Sequence, residues 1–232
     1  MTLLGRAAVA MWWDMAPDRR AEFEDWHSHE HFPERMSIPG FLRGSRWSAA
    51  DGSEGFFVIY ELDAYETLTS EYYLARLNDP TPWSKKMMPH HRNMVRSQCR
   101  VIASHGGGVA SVMVTLRLSP QPGREDALSA YLRDALVALP SRPGVTGAHL
   151  LQTDTPKSGV TTEQRIRGGA DAAADWIVLV SGYSDEALRQ VLLSELQPTA
   201  LEAAGASAGP SSSVFRLAFS MTCDDVTSTR SP

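Results

Sequence analysis

Cysteine is nearly absent from this chain. Among 232 residues only Cys99 and Cys223 carry thiols, far apart and with no CxxC partner. A disulfide framework and a zinc knuckle are therefore not expected, and two free thiols buried in strands are. Lysine is scarce as well, three of the 22 basic residues, and no Lys/Arg run occurs. With a net charge of −5 the chain lacks the basic stripe that nucleic acid requires, so no nucleic-acid partner is expected. No stretch approaches the ~18 consecutive apolar residues of a membrane span. The N-terminus has no basic n-region, and Arg6 interrupts its short apolar run, which argues against a secretory signal. The expectation is a cytoplasmic protein with no membrane attachment. GxSxG, the Rossmann fingerprint and the kinase set are also missing. His105-Gly106-Gly107-Gly108 leads from one strand into another and lacks Lys-Ser/Thr, so it reads as a linker rather than a phosphate loop.

What is present is a core-forming composition, 43% hydrophobic, and a pattern stated twice. In the first half Ala7–Trp13 reads as a buried strand and Asp18 to about His31 as a helix. Ile38-Pro39-Gly40-Phe41 breaks into a second strand through Trp47, Asp51-Gly52-Ser53 turns, and Phe56–Leu62 is a third strand. Asp63 is placed to cap a helix to about Leu77, and Val95–Ala103 is a fourth strand. The second half repeats the order with Val109–Leu118, then a helix over Gly123–Leu139. On that helix Leu128, Tyr131, Leu132, Ala135, Leu136 and Leu139 share one face. Pro143-Gly144-Val145 matches Pro39-Gly40-Phe41. Trp176–Ser181 matches Phe57–Leu62, Asp185 caps a helix to about Leu196, and Val214–Met221 closes the set. Residues 155–173, rich in Gly, Ala and Thr, read as a mobile insertion, a second such stretch covers Ala203–Ser213, and the tail after Asp224 reads as disordered.

Each β-α-β-β-α-β unit makes a four-stranded sheet with helices on one face and leaves the other face bare. That face is too apolar for water, so two units must pack sheet against sheet. The expected fold class is α+β: two fused ferredoxin-like repeats, 1–105 and 106–232, forming one α/β barrel.

The segment Phe23-Glu24-Asp25-Trp26-His27-Ser28-His29-Glu30-His31-Phe32-Pro33, followed by Pro39-Gly40-Phe41 and Arg46-Trp47, resembles the dimeric α/β-barrel superfamily. It is most similar to the EthD-like and antibiotic-biosynthesis-monooxygenase-like branches, whose pattern has a Trp, a Glu-His pair, a Pro, then Pro-Gly-Phe and Arg-Tyr or Arg-Trp. The second half keeps Pro143-Gly144 but has neither the Trp nor the Glu-His pair in its first helix, and reads as a degenerate, structural copy. The resemblance implies a range of activities: cofactor-free monooxygenases, isomerases, cyclases, dehydratases and haem enzymes. It therefore carries fold further than reaction.

His27 and His31 lie four apart on one helix face, while His29 points elsewhere. They sit where an apolar stripe begun by Phe23 and Trp26 would continue. Pro33 is expected to end or kink the helix, leaving the histidines at a helix C-terminus where imidazolium is favoured. Three readings stay open: His31 as a general acid or base facing the barrel cavity, oriented by Glu30 or Glu34; His27 and His31 as metal ligands with His90 or His91; or capping and surface groups. The segment Pro82–His91 either lines a pocket mouth with its Trp, Met and His residues or is a plain loop. Arg96, Gln98 and Arg100 alternate on one strand face, lining an interior that accepts an anionic ligand or, more simply, facing solvent at a sheet edge.

The leading expectation is a cofactor-independent enzyme acting on a small apolar or aromatic compound. His31 would be the proton-transfer group, His27 and Tyr60 would assist, and Trp26, Phe41, Arg46 and Trp47 would contact the ligand. No cofactor or metal is assigned. A non-catalytic small-molecule-binding protein and a haem or metal protein are the alternatives, and a homodimer through free sheet edges is compatible with all three.

Overall fold

The computed structural model describes residues 3–154, 159–169 and 171–228, with side chains through Val226. The elements run β1 (Ala7–Met15), α1 (Pro17–Trp26), a π-helical turn (His27–His31), α2 (Phe32–Met36), β2 (Phe41–Ala49), β3 (Gly55–Leu62), α3 (Glu71–Asn78), α4 (Pro82–Met87) and β4 (His91–Gly106). The second run is β5 (Val112–Leu118), α5 (Glu125–Ala138), β6 (Val145–Thr153), α6 (Thr162–Ile166), β7 (Trp176–Gly182), α7 (Asp185–Leu193), α8 (Pro198–Ala204), β8 (Ser211–Thr222) and α9 (Cys223–Ser228). The strands form a closed antiparallel barrel in the hydrogen-bonded order β1-β3-β2-β8-β5-β7-β6-β4. No helix among the described residues is long and apolar enough to cross a membrane.

Two compact units divide the chain. One holds Leu4–Cys99, residues 154–173 and the chain from Ala218 on; the other holds Arg100–Thr153 and Ala174–Leu217. In the first, β3 is the central strand: Val9 pairs with Tyr60, Trp13 with Phe56, and on the other side Gly44 with Tyr60 and Arg46 with Val58. Alternation along the strands gives two apolar faces. Val9, Trp13, Phe56, Val58 and Tyr60 share a core with the helical residues Phe23, Trp26 and Phe32. The opposite face carries Trp12, Trp47 and Phe57, also buried. In the second unit β7 is central between β5 and β6. Leu128, Leu132, Leu136 and Leu139 are buried against it, as their spacing predicts, each stabilising by about 2 kcal/mol.

The Pro-Gly break has the same physical cause in both units. Gly40 has φ of +92° and Gly144 +89°. A Cβ on Gly40 would lie 2.5 Å from Thr67 Oγ1, and one on Gly144 2.6 Å from Ala187 Cβ. Only glycine meets the left-handed turn and the close helix together.

Several local expectations are corrected. Asp63 does not cap one long helix. Its carboxylate accepts from Ala64 N and Thr67 Oγ1 and heads a 3-10 turn, and α3 starts anew where Ser70 Oγ accepts from Tyr73 N. Ser184, not Asp185, caps α7, which stops at Leu193. Pro82–His91 is not a loop but α4 followed by a 3-10 turn, with Thr81 Oγ1 accepting from Ser84 N. Strand β4 is longer than read and has a neighbour on each side of the closed barrel, so Arg96 and Gln98 are not on a sheet edge. Cys99 is buried in β4, whereas Cys223 is half-buried at the start of α9. That helix occupies the chain after Asp224 as far as Ser228; residues 229–232 of the expected disordered tail, and 155–158 of the expected mobile insertion, lie outside the described residues. Within the insertion α6 is closed by a capping box between Thr161 and Gln164.

Candidate active site on the helix-covered face of the first unit

Pro33 does not end the first helix. Phe32 N–H bonds back five residues to His27 O, and the chain continues as α2 to Met36. A proline inside an α-helix removes one donor and clashes with the preceding turn; the widened π turn accommodates it within a continuous helix. Glu24 O accepts from Ser28 Oγ at 2.7 Å and from Arg46 Nη1 at 3.2 Å. His27 and His31 thus sit in mid-helix, with no helix C-terminus to favour a charge. Their rings stack at 5.2 Å with 25° between planes, and both side chains are buried. His29 is exposed and pairs with Asp25.

These histidines border a cavity of about 40 Å³, room for roughly one water. Its aromatic wall is Trp13, Trp26 and Phe41, and Val9, Leu77 and three methionines, Met11, Met88 and Met94, complete the apolar lining. The polar groups are His27, His31, His91, Tyr60, Tyr73 and Glu163 with Arg35, Arg96 and Arg167. The cavity lies between the helices and the sheet, not on the face that carries Trp47.

The imidazoles are neutral. Burial holds His31 well below its ordinary 6.5, and the charges of Arg35, His27, His91 and Arg167 push it the same way. His27 is depressed by burial first and by Arg46 next. Burial takes His91 down to about 3. Arg46 Nη1 lies 3.5 Å from His27 Nδ1, which makes Nδ1 the acceptor and leaves the ring proton on Nε2. His91 Nδ1 donates to Met88 O at 3.1 Å, which places the lone pair on Nε2. His31 Nδ1 has no hydrogen-bond partner among the described residues; the nearest carboxylate oxygen, Glu34 Oε2, is 3.8 Å away. The Tyr60 hydroxyl is likewise buried and unpartnered, and burial raises its pKa above the ordinary 10.

The expected site residues separate into two groups. Trp26, His27, His31, Phe41 and Tyr60 all border the cavity. Arg46 does not; it braces His27 from behind and lies over the Phe23 ring at 5.7 Å. Trp47 is on the opposite sheet face, opposite Phe57, because it is one residue out of phase with Arg46. Glu30 does not orient His31. It accepts from Trp26 Nε1 at 3.2 Å and from Thr81 Oγ1, tying α1 to the start of α4. Gly44 makes room for the site: a Cβ there would lie 2.3 Å from the Phe32 ring. Arg35 and Glu163 form a buried ion pair across the cavity, and Arg35 also holds Glu34 at 3.1 Å. Glu163 and Arg167 come from α6 and the turn after it, and Arg167 is anchored by Asp171 at 2.7 Å.

No protein-family model matches the chain. No curated protein matches its sequence. Among solved structures, an anthrone oxidase-like protein superposes with a TM-score of 0.67 at 14% identity, covering 94% of this chain and 93% of its own. A candidate monooxygenase from Fusobacterium nucleatum gives 0.61 at 6% identity, covering 94% and 95%. Chlorite dismutase from Candidatus Nitrospira defluvii, in complex with imidazole, gives 0.56 at 10%, covering 97% and 95%. The chain has the dimeric α/β-barrel fold. At these identities the likeness is one of architecture.

Within this dimeric α/β barrel the expected metal-ion reading does not find its donors. Among the described residues no three His, Cys, Asp or Glu side chains converge to hold a metal ion. A haem macrocycle would have to displace Trp13, Trp26 and His91, whose rings stand 5.1 to 6.0 Å apart beside the cavity.

Proposed function

We propose that this cavity binds a small, mostly apolar or aromatic compound carrying a weakly acidic C–H or O–H, and that neutral His31 removes the proton. The observation that carries the reading is the set of buried, unpartnered polar atoms, His31 Nδ1, Tyr60 Oη and Trp13 Nε1, on residues that border one aromatic cavity. Buried polar groups are nearly always paired, and exceptions concentrate where function needs them. A neutral imidazole has its lone pair free to take a proton at pH 7, and the substrate anion formed beside it offsets the cost of charging the buried ring. As it gains charge, the Glu34 carboxylate 3.8 Å from Nδ1 steadies the imidazolium. The Tyr60 phenol, held neutral by burial, donates to the oxyanion that develops on the substrate. A ligand of aromatic size requires the cavity to widen, and the methionine walls supply adaptable side chains for that.

The anthrone oxidase-like and monooxygenase neighbours suggest a test reaction. Anthrone has a methylene acidified by its ketone. After deprotonation the carbanion adds dissolved dioxygen, and the resulting hydroperoxide loses water. Each methylene and one dioxygen thus give one new ketone and one water, with no further reductant. Oxygen uptake with anthrone is expected for the wild type and to fall at least about 100-fold in His31→Ala. Uptake unchanged by that substitution contradicts the mechanism. Binding without uptake supports the second reading, a small-molecule-binding protein without turnover.

A further inference from the structure

We propose that the ligand of this cavity carries an anionic group, a carboxylate or an equivalent planar anion, and that Arg96 together with Tyr73 is its anchor. The inference rests on the reading of the cavity as a ligand site and adds the ligand's charge class.

Three guanidinium groups border the cavity, and two of them are neutralised by protein carboxylates. Arg35 has Glu34 and Glu163; Arg167 has Asp171 at 2.7 Å and Glu163 at 3.7 Å. Arg96 has none within ion-pair distance among the described residues. Its one side-chain hydrogen bond runs from Nη2 to the Tyr73 hydroxyl at 2.5 Å. A neutral phenol accepts that bond without cancelling the charge. The Tyr73 side chain is itself buried, 3% exposed, and its hydroxyl proton is donated to no described residue. The wall therefore presents a guanidinium with unused N–H donors and a phenol O–H beside it. That is a two-point donor set of the kind carboxylates bind.

The base region is distinct from this anchor. Tyr73 packs against Phe41 with ring centroids 5.3 Å apart, and Phe41 in turn lies 5.7 Å from the Tyr60 ring. An aromatic ligand lying along Phe41 would have its anion at Arg96 and Tyr73 and its reacting atom toward Tyr60 and His31. Buried cations are paired or neutralised in most proteins because desolvation without compensation is costly. Asp171 and Glu163 act on Arg96 through space, but no described carboxylate bonds to it, so its unused donors are open to an anion from outside the chain.

The test uses two planar probes of equal size, benzoate and benzamide, titrated into the full-length protein while tryptophan fluorescence is followed; Trp13 and Trp26 border the cavity. Benzoate is expected to bind at least about tenfold more tightly than benzamide. Arg96→Met should abolish that preference while benzamide still binds. Tyr73→Phe, which keeps the ring, should reduce the preference several-fold and guards against misfolding of the arginine variant. Equal affinities in the wild type, or a preference that survives Arg96→Met, overturn the anchor but leave the cavity reading standing. No binding of either probe at millimolar concentration overturns the cavity reading, and the anchor with it.

Discussion

Replacing Tyr60 by phenylalanine should make this protein more stable and less active. The side chain is 3% exposed, its hydroxyl has no partner among the described residues, and Phe32 and Phe41 flank its ring at 5.3 and 5.7 Å. Phenylalanine keeps those ring contacts and removes only the oxygen. An unsatisfied buried hydroxyl costs about 1–3 kcal/mol, so Tyr60→Phe should gain about 1 kcal/mol once a cavity water is allowed to offset part of the penalty. For a domain of this length that raises Tm by about 2–4 °C. Tyr73→Phe is the matched control. It strips Arg96 of its one side-chain hydrogen bond and should lose about 1–2 kcal/mol. Urea unfolding followed by circular dichroism measures both. If Tyr60→Phe instead lost about 1 kcal/mol or more, the hydroxyl would be a structural hydrogen-bonding group and not one reserved for a ligand.

Acid should unfold this protein early. His27, His31 and His91 are held neutral in the fold below the 6.5 of the unfolded chain, so the unfolded state binds more protons and stability drops as pH falls below about 6.5. Three such groups give a slope approaching about 4 kcal/mol per pH unit between about pH 6 and 4; urea midpoints that stay flat across that window contradict neutral burial. Glu163→Met leaves Arg35 buried with Glu34 as its one carboxylate and should cost about 3 kcal/mol, whereas a loss within about 0.5 kcal/mol, the usual range of surface changes, would mean that α6 contributes nothing to closing the cavity. Gly44→Ala drives a methyl into the Phe32 and Tyr60 rings and should cost about 1–3 kcal/mol, read as a lower urea midpoint with an unchanged slope.

Much of the architecture was legible in the sequence, for identifiable reasons. The two Pro-Gly breaks mark positions where backbone conformation and a close helix both demand glycine, so they report strand starts reliably. The Leu128-Leu132-Leu136 stripe shows its period because one helix face is buried and the other is not. The helix around His27–His31 was harder to read, since Pro33 looks like a terminator unless the turn before it widens, and sequence carries no mark of a π turn. Five expected residues, Trp26, His27, His31, Phe41 and Tyr60, come together around the cavity, whereas Trp47 does not. That residue sits on a strand buried on both faces, where apolar character no longer tells which face is which. Glu163 and Arg167 went unnoticed because the Gly- and Ala-rich composition of their segment reads as loop. The Thr161-Thr162-Glu163-Gln164 capping box was the signal that would have found α6, and with it two charged groups of the cavity. Arg96 alternates with apolar residues in the sequence, but strand alternation alone does not distinguish a barrel strand from an edge.

The central claim is that neutral His31 removes a proton from a ligand held in this cavity. Anaerobic exchange of the anthrone methylene protons into deuterium oxide, followed by NMR, isolates that step from any reaction with dioxygen. The account predicts catalysed exchange by the wild type and a loss of at least about 100-fold in His31→Ala, with the folded state verified by its urea midpoint. Exchange at the same rate in both proteins would contradict it.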